Sequence, residues 1–236
     1  MSGRIYLTGD THGHTDIKKL WSFAACRQDL DKDDFVIILG DFGLLWDGGK
    51  QERYLLDKLN SKSFTTLWLC GNHENFDMLK NYPEEEWHGG RIHRISDSIY
   101  HLCRGHIFDI HGKKLLVMGG GTSIDKCGRT EGLSWWPEEN ISNSDFDMAL
   151  ANLAGHGNEV DYILTHAAPS SFAKDIIEYG LGLSNAYFFD INEARLEDIL
   201  RLPVKFKEWY CGHYHCDYES CAGRFNCLYN GFVELK

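Results

Sequence analysis

Only 4 of the 236 residues are proline, and the chain has no Ser/Gly-rich linker and no internal repeat, so nothing marks a boundary between domains. We read 1–236 as one domain. No run approaches the roughly 18 apolar residues of a membrane-spanning helix. The start, "MSGRIYLTGDTHG", lacks the apolar stretch of a secretory signal, so the expected location is the cytoplasm. Basic residues are scarce: 24 Lys and Arg against 35 Asp and Glu give a net charge of -11, which argues against extended nucleic-acid binding. It does not exclude a small phosphorylated ligand where bound cations reverse the sign locally. The cysteines at 26, 70, 103, 127, 211, 216, 221 and 227 contain no CxxC pair, so they read as reduced thiols, with a zinc knuckle over 211–227 the lesser reading.

What is present is a series of short apolar runs: "RIYLTGD" (4–10), "DFVIILGD" (34–41), "TTLWLCGN" (65–72), "HIFDI" with "KLLVMGG" (106–120), "DYILTHA" (161–167), "EWYCGHYH" (208–215) and "RFNCLYNGFVEL" (224–235). Between them lie helical patterns: "TDIKKLWSFAACRQ", "RYLLDKLN", "SDFDMALANLAGHG" from a Ser N-cap, and "DINEARLEDILRL" from Asp190 with Glu193 placed as its capping partner. This alternation predicts α/β units, and a hairpin around "HGKK" makes part of the sheet antiparallel.

The apolar runs end in chemistry. Asp10 and His12 close the first, Asp41 the second, Asn72 and His73 the third, His166 the fifth, and His213 and His215 the sixth. Six of the 12 histidines (12, 14, 73, 166, 213, 215) fall in these clusters. The pairs 10/12 and 213/215 are two apart, which in an extended chain puts both side chains on one face. Taken singly, each His reads better as a core or surface histidine. Together, His and Asp with one amide and no thiolate suit a borderline divalent cation: Mn, Fe, Co, Ni or Zn. Asp10, His12, Asp41, Asn72, His166, His213 and His215 are too many for one site that keeps a water, whereas two ions sharing Asp41 would use all seven.

The order D-x-H, G-D, G-N-H-E, H, G-H-x-H, running from Asp10 to His215, resembles the calcineurin-like metallophosphoesterase superfamily. The resemblance implies a two-sheet mixed β-sandwich flanked by helices, a four-layer αββα arrangement. It implies one ion on Asp10, His12, Asp41 and His215, and another on Asp41, Asn72, His166 and His213. His73 would be the acid near the leaving group. One departure stands out: "GDFGLLWDGG" carries Leu44 where phosphoprotein phosphatases have the second Asp of G-D-x-x-D-R-G, and the Arg is missing. Glu74 and Asp47 are then the neighbouring carboxylates that could orient His73.

The expected activity is hydrolysis of a small phosphorylated substrate, with a phosphodiesterase or nucleotide-directed phosphohydrolase ahead of a phosphoprotein or phosphomonoester phosphatase. A hydroxide bridging two ions would attack phosphorus, with Asp41 and Asn72 in the catalytic set and His73 protonating the departing oxygen. The competing reading is a metal-poor scaffold of the same fold that binds partners. The segment 122–140, "TSIDKCGRTEGLSWWPEEN", is long for a plain connection and could cover the site, with Arg129 on a phosphate and the pair Trp135-Trp136 stacking a base or simply packing the loop down. "GGG" at 119–121 reads as a flexible strand exit, since no GK[ST] follows.

Overall fold

The apolar runs shorten in the computed structural model to strands of mostly four residues, and the residues just past each strand form the loops that matter. Residues 3–183, 187–220 and 223–236 are described; Cys221 lies outside them. In chain order the elements are β1 (Ile5–Thr8), α1 (Lys18–Cys26), β2 (Phe35–Ile38), α2 (Lys50–Asn60), β3 (Thr65–Trp68), α3 (Phe76–Leu79), β4 (Glu84–Trp87), β5 (Gly90–Ser96), β6 (Ile99–Leu102), β7 (Ile107–Ile110) and β8 (Lys113–Met118). There follow α4 (Asn143–Gly155), β9 (Tyr162–Thr165), α5 (Ser170–Asp175) running into a π-helical turn (Ile176–Gly180), α6 (Ile191–Arg201), β10 (Glu208–Cys211), β11 (Tyr218–Glu219), β12 (Phe225–Cys227) and β13 (Val233–Glu234).

Two mixed sheets result, with strand orders β13-β1-β2-β3-β6-β5-β4 and β11-β12-β10-β9-β8-β7. β1, β2, β3 and β6 are parallel, as are β8, β9, β10 and β12, and the hairpins lie toward the edges. Alternation sorts the side chains. Ile5, Leu7, Ile37 and Leu67 face Phe108, Leu115, Val117 and Leu164 of the other sheet in a shared core. Tyr6, Val36, Ile38 and Trp68 face outward against Leu20 of α1 and Leu59 of α2. Leu116, Met118, Ile163 and Trp209 do the same against α4 and α6. The four-layer αββα arrangement follows, because each sheet is apolar on both faces and needs cover on both.

Several boundaries differ from the sequence reading. The N-cap of α4 is Ser142, two residues earlier than expected, because Ser142 and Asp145 close a reciprocal capping box. Asp190 caps α6 alone, and Glu193 instead accepts a hydrogen bond from Tyr214 Oη at 2.7 Å. The run 224–235 is two strands in different sheets, β12 and β13, because the chain crosses between sheets through Leu228–Phe232. The hairpins β4-β5-β6 were not anticipated. The acidic run at 83–86 is an edge strand whose Glu84 and Glu85 pair with Arg91 and Arg94 on β5, and edge strands tolerate such charge.

Candidate metal centre

The loops leaving β1, β2, β3, β9 and β10 converge at one end of the sandwich. They are not extended. His12, Asp41, His213 and His215 all have positive φ (42°, 49°, 71° and 51°), so the pairs 10/12 and 213/215 meet through left-handed turns and not through strand alternation. Non-glycine residues hold such angles when surrounding contacts over-determine them, which is common at functional sites.

Two sets of donor atoms meet at Asp41. On one side, His12 Nε2 is 3.3 Å from Asp41 Oδ2 and 3.9 Å from Asp10 Oδ2, and His215 Nε2 is 3.1 Å from Asp10 Oδ2. Donor atoms of these four residues all lie within 4.8 Å of one another. On the other side, His166 Nε2 is 3.3 Å from Asp41 Oδ1, 3.2 Å from Asn72 Oδ1 and 3.1 Å from His213 Nδ1. Outer hydrogen bonds aim these atoms. His166 Nδ1 donates to the Leu39 carbonyl at 2.8 Å, which turns Nε2 inward, and Asn72 Nδ2 donates to Ser123 Oγ at 3.4 Å, which turns Oδ1 inward.

The electrostatics ask for a cation. Burial works against charge on His12 and His166, yet the adjacent Asp41 outweighs it, and both imidazoles are pushed up to about 9. Burial likewise opposes charge on Asp10 and Asp41, but the surrounding imidazoles hold both carboxyls below their usual range. Asp10 Oδ2 is buried and accepts no hydrogen bond among the described residues. An orphaned carboxylate oxygen beside imidazole nitrogens fits a borderline divalent metal, and no thiolate competes.

The calcineurin-like phosphoesterase family profile matches residues 3–217. The chain belongs to this family. Among the described residues, Asp10, His12, Asp41 and His215 form a candidate metal site. No curated protein matches by sequence. Among solved structures, the chain resembles a candidate 5'-nucleotidase from Staphylococcus aureus (19% identity, TM-score 0.49, covering 99% of this chain and 50% of that one). It also resembles a protein of Thermus thermophilus (12%, 0.48, covering 100% and 99%) and the phosphoesterase YfkN from Bacillus subtilis (12%, 0.46, covering 99% and 84%). The chain spans about half the length of the first of these.

Around this candidate metal centre the structure separates the remaining candidates. His73 is half-buried with its ring 5.5 Å from that of His12, and its amide donates to Asp41 Oδ1 at 2.8 Å. Burial lowers its pKa, with Asp41 opposing and Arg129 reinforcing the fall. Glu74 and Asp47, the carboxylates expected to orient it, are engaged elsewhere. Glu74 is buried and accepts from the Phe42 amide at 2.8 Å, Gly43 at 3.3 Å and Gly71 at 3.4 Å, tying the Asp41 loop to the Asn72 loop. Asp47 accepts from the Gly49 amide instead. Leu44 is a core residue, 2% exposed, which explains the missing second Asp.

Arg129 pairs with Asp125 at 2.8 Å, and His14 is exposed. Trp136 is buried, edge-on to Trp46, and donates through Nε1 to Asp77 at 2.8 Å, so it packs the 122–140 loop down. The glycines at 119–121 are neither a cradle nor a slack exit: a Cβ on Gly121 would meet His166, Asn72 and His213 at 2.9 to 3.2 Å. Sequence reading missed Asp16, whose Oδ2 holds His12 Nδ1 at 2.9 Å, and Tyr229, stacked on His215 at 5.0 Å with its hydroxyl donating to Asp16. Asp16 was within reach, as the second acid of "DTHGHTD"; nothing local marks Tyr229.

A cavity of about 750 Å³ opens over the site, lined by His12, His14, Trp46, Asp47, His73 and Tyr229 among others.

Proposed function

We propose that the chain hydrolyses small phosphodiesters or nucleotide-like phosphoesters at two divalent transition-metal ions that share Asp41. The observation that carries this reading is that the two oxygens of Asp41 face different donor sets, Oδ2 toward His12 and Oδ1 toward His166, each at 3.3 Å. One ion would be held by Asp10, His12, Asp41 and His215, the other by Asp41, Asn72, His166 and His213. Bound there, such ions would activate water near neutral pH and neutralise phosphoryl charge.

The chain's own residues do the rest. His73 lines the cavity beside this set and would give a proton to the departing oxygen. The Asn72 carboxamide, fixed by Ser123, orients the phosphoryl group. Lys50 is the one lysine or arginine among the cavity's described lining residues, so little but the metals meets phosphate charge. That favours a singly charged diester over a dianionic monoester. A volume of about 750 Å³ suits a nucleotide-sized molecule better than a folded phosphoprotein. The 122–140 loop would cover the far side, with Arg129 held by Asp125.

Elemental analysis after metal reloading, followed by a panel of phosphodiesters, nucleotides, phosphomonoesters and phosphopeptides, tests the reading. It expects about two ions per chain in the native protein, and a greater loss of metal from Asp41→Asn than from Asp10→Asn. A plateau at one ion with phosphate present, or highest kcat/KM on a phosphopeptide, overturns it.

A further inference from the structure

A second set of donors lies on the helix-facing side of the seven-stranded sheet and includes none of the seven residues above. His93 on β5 and His101 on β6 are direct cross-strand partners, and Cys103 follows His101 by two residues with its amide still bonded to the Arg91 carbonyl. All three therefore leave the same face, while the intervening Ile92 and Leu102 enter the core between the sheets. One donor atom from each lies within 4.8 Å of the other two.

The hydrogen bonds around the trio leave the right atoms free. His93 Nδ1 donates to the Tyr82 carbonyl at 2.7 Å, which leaves the Nε2 lone pair available. His101 is 3% exposed, its ring held 4.5 Å from that of Trp68, and its Nε2 sits 3.3 Å from Cys70 Sγ. Its Nδ1 is buried with no hydrogen-bond partner among the described residues. A buried ring nitrogen without a partner is costly unless something fills the position, and a cation does so. Two imidazoles and a thiolate are a zinc-type donor set. Donor atoms around tetrahedral zinc stand roughly 3.3–3.8 Å apart, so closure from the observed spacing needs movement on the order of 1 Å.

We propose that His93, His101 and Cys103 hold a Zn²⁺ ion, independent of the phosphoesterase centre, that pins β5 to β6. On binding, Cys103 releases its thiol proton to solvent and the sulfur–zinc bond forms; nothing is oxidised or reduced. Glu84, opposite His93 on β4, is paired with Arg91.

The test is titration of the reduced, metal-stripped full-length protein with Co²⁺, read as the near-ultraviolet charge-transfer band of thiolate-bound cobalt. The phosphoesterase centre contains no sulfur donor, so the band is silent to it. The native protein should give a band that saturates at one site and is displaced by Zn²⁺. Cys103→Ser should lose it while keeping phosphoesterase activity, and His93→Gln should weaken cobalt binding by at least the roughly 10- to 100-fold that loss of an outer partner costs. No band at saturating cobalt overturns the proposal. So does an undiminished band in Cys103→Ser, which would place the thiolate on another cysteine, Cys70 beside His101 or one of Cys211, Cys216 and Cys227. Should Cys103→Ser fail to fold, His93→Gln decides alone, because His93 is half-exposed and an unchanged titration there refutes the site.

Discussion

Replacing Glu74 by alanine should weaken both the fold and metal binding, although Glu74 coordinates nothing in the reading above. Its carboxylate is 1% exposed and accepts three amides, two of them immediately after Asp41, whose φ is +49°. Burial and the nearby Asp41 push the Glu74 carboxyl up to about 8 against the pull of the three amides, so its worth to the fold near neutral pH lies in accepting those amides and not in a full charge. Glu74→Ala leaves those amides without acceptors. At about 1–3 kcal/mol for a short bond and less for the two longer ones, the expected loss is about 3 kcal/mol, or roughly 6–12 °C in Tm for a chain of this size. With its clamp gone, the Asp41 turn relaxes, and metal affinity should fall about 10- to 100-fold, as for other partners that orient ligands. Glu74→Gln keeps the volume and one acceptor and should lose less than half as much. Thermal unfolding with and without metal, together with a metal titration, reads both effects. Native metal affinity in Glu74→Ala, or a Tm within about 2 °C of native, would refute the clamp.

His73→Ala should retain its metals and lose about 10²- to 10⁴-fold in kcat on a diester with an alkoxide leaving group, but less with a nitrophenolate; an equal loss on both, or a lost ion, would make His73 an electrostatic clamp or a ligand and not the acid. Asp16→Asn, which removes the anion behind His12 Nδ1, should weaken metal binding about 10-fold or more, checked by competition with a chelator. Gly71→Ala should cost metal and activity together, because its Cβ would fall on Asp41 Oδ1 and 2.7 Å from His166 Nε2. At the other end of the molecule, burial raises the Asp34 carboxyl but Arg4, 2.8 Å away, outweighs it and holds it at about 2. Asp34 therefore adds stability above its unfolded value near 4 that is lost as pH falls toward 2, and the Tm gap between native and Asp34→Asn should close over that range.

The convergence of the five loops was legible because the family's ligands are chemically conspicuous and sit where apolar runs stop, so even a coarse strand reading places them together. What surrounds them was less so. Glu74 stood out in "GNHEN", yet two of its three partners are backbone amides 31 and 32 residues away in sequence, which no side-chain pattern records. Tyr229 reaches Asp16 across 213 residues. The β4-β5-β6 meander was hidden by composition: an edge strand of three glutamates and a tryptophan reads as solvent-exposed loop until its arginine partners are seen across the strand.

The motif letters also carry a steric message that residue chemistry alone does not. In "GNH" the glycine does more than follow the strand. In the structure Gly71 is the surface on which Asp41 and His166 lie, and any larger residue would occupy the space of the carboxylate proposed to join the two ions. The left-handed turns at His12, Asp41, His213 and His215 have a related consequence, since each donor is placed by a backbone angle that the surrounding contacts must hold. The spacing D-x-H and H-x-H therefore encodes a turn, not a strand face. A donor set built this way depends on the contacts that hold each turn, which is why Glu74 and Asp16, rather than further ligands, are the substitutions that discriminate best between a preorganised site and a loose cluster of acids and imidazoles.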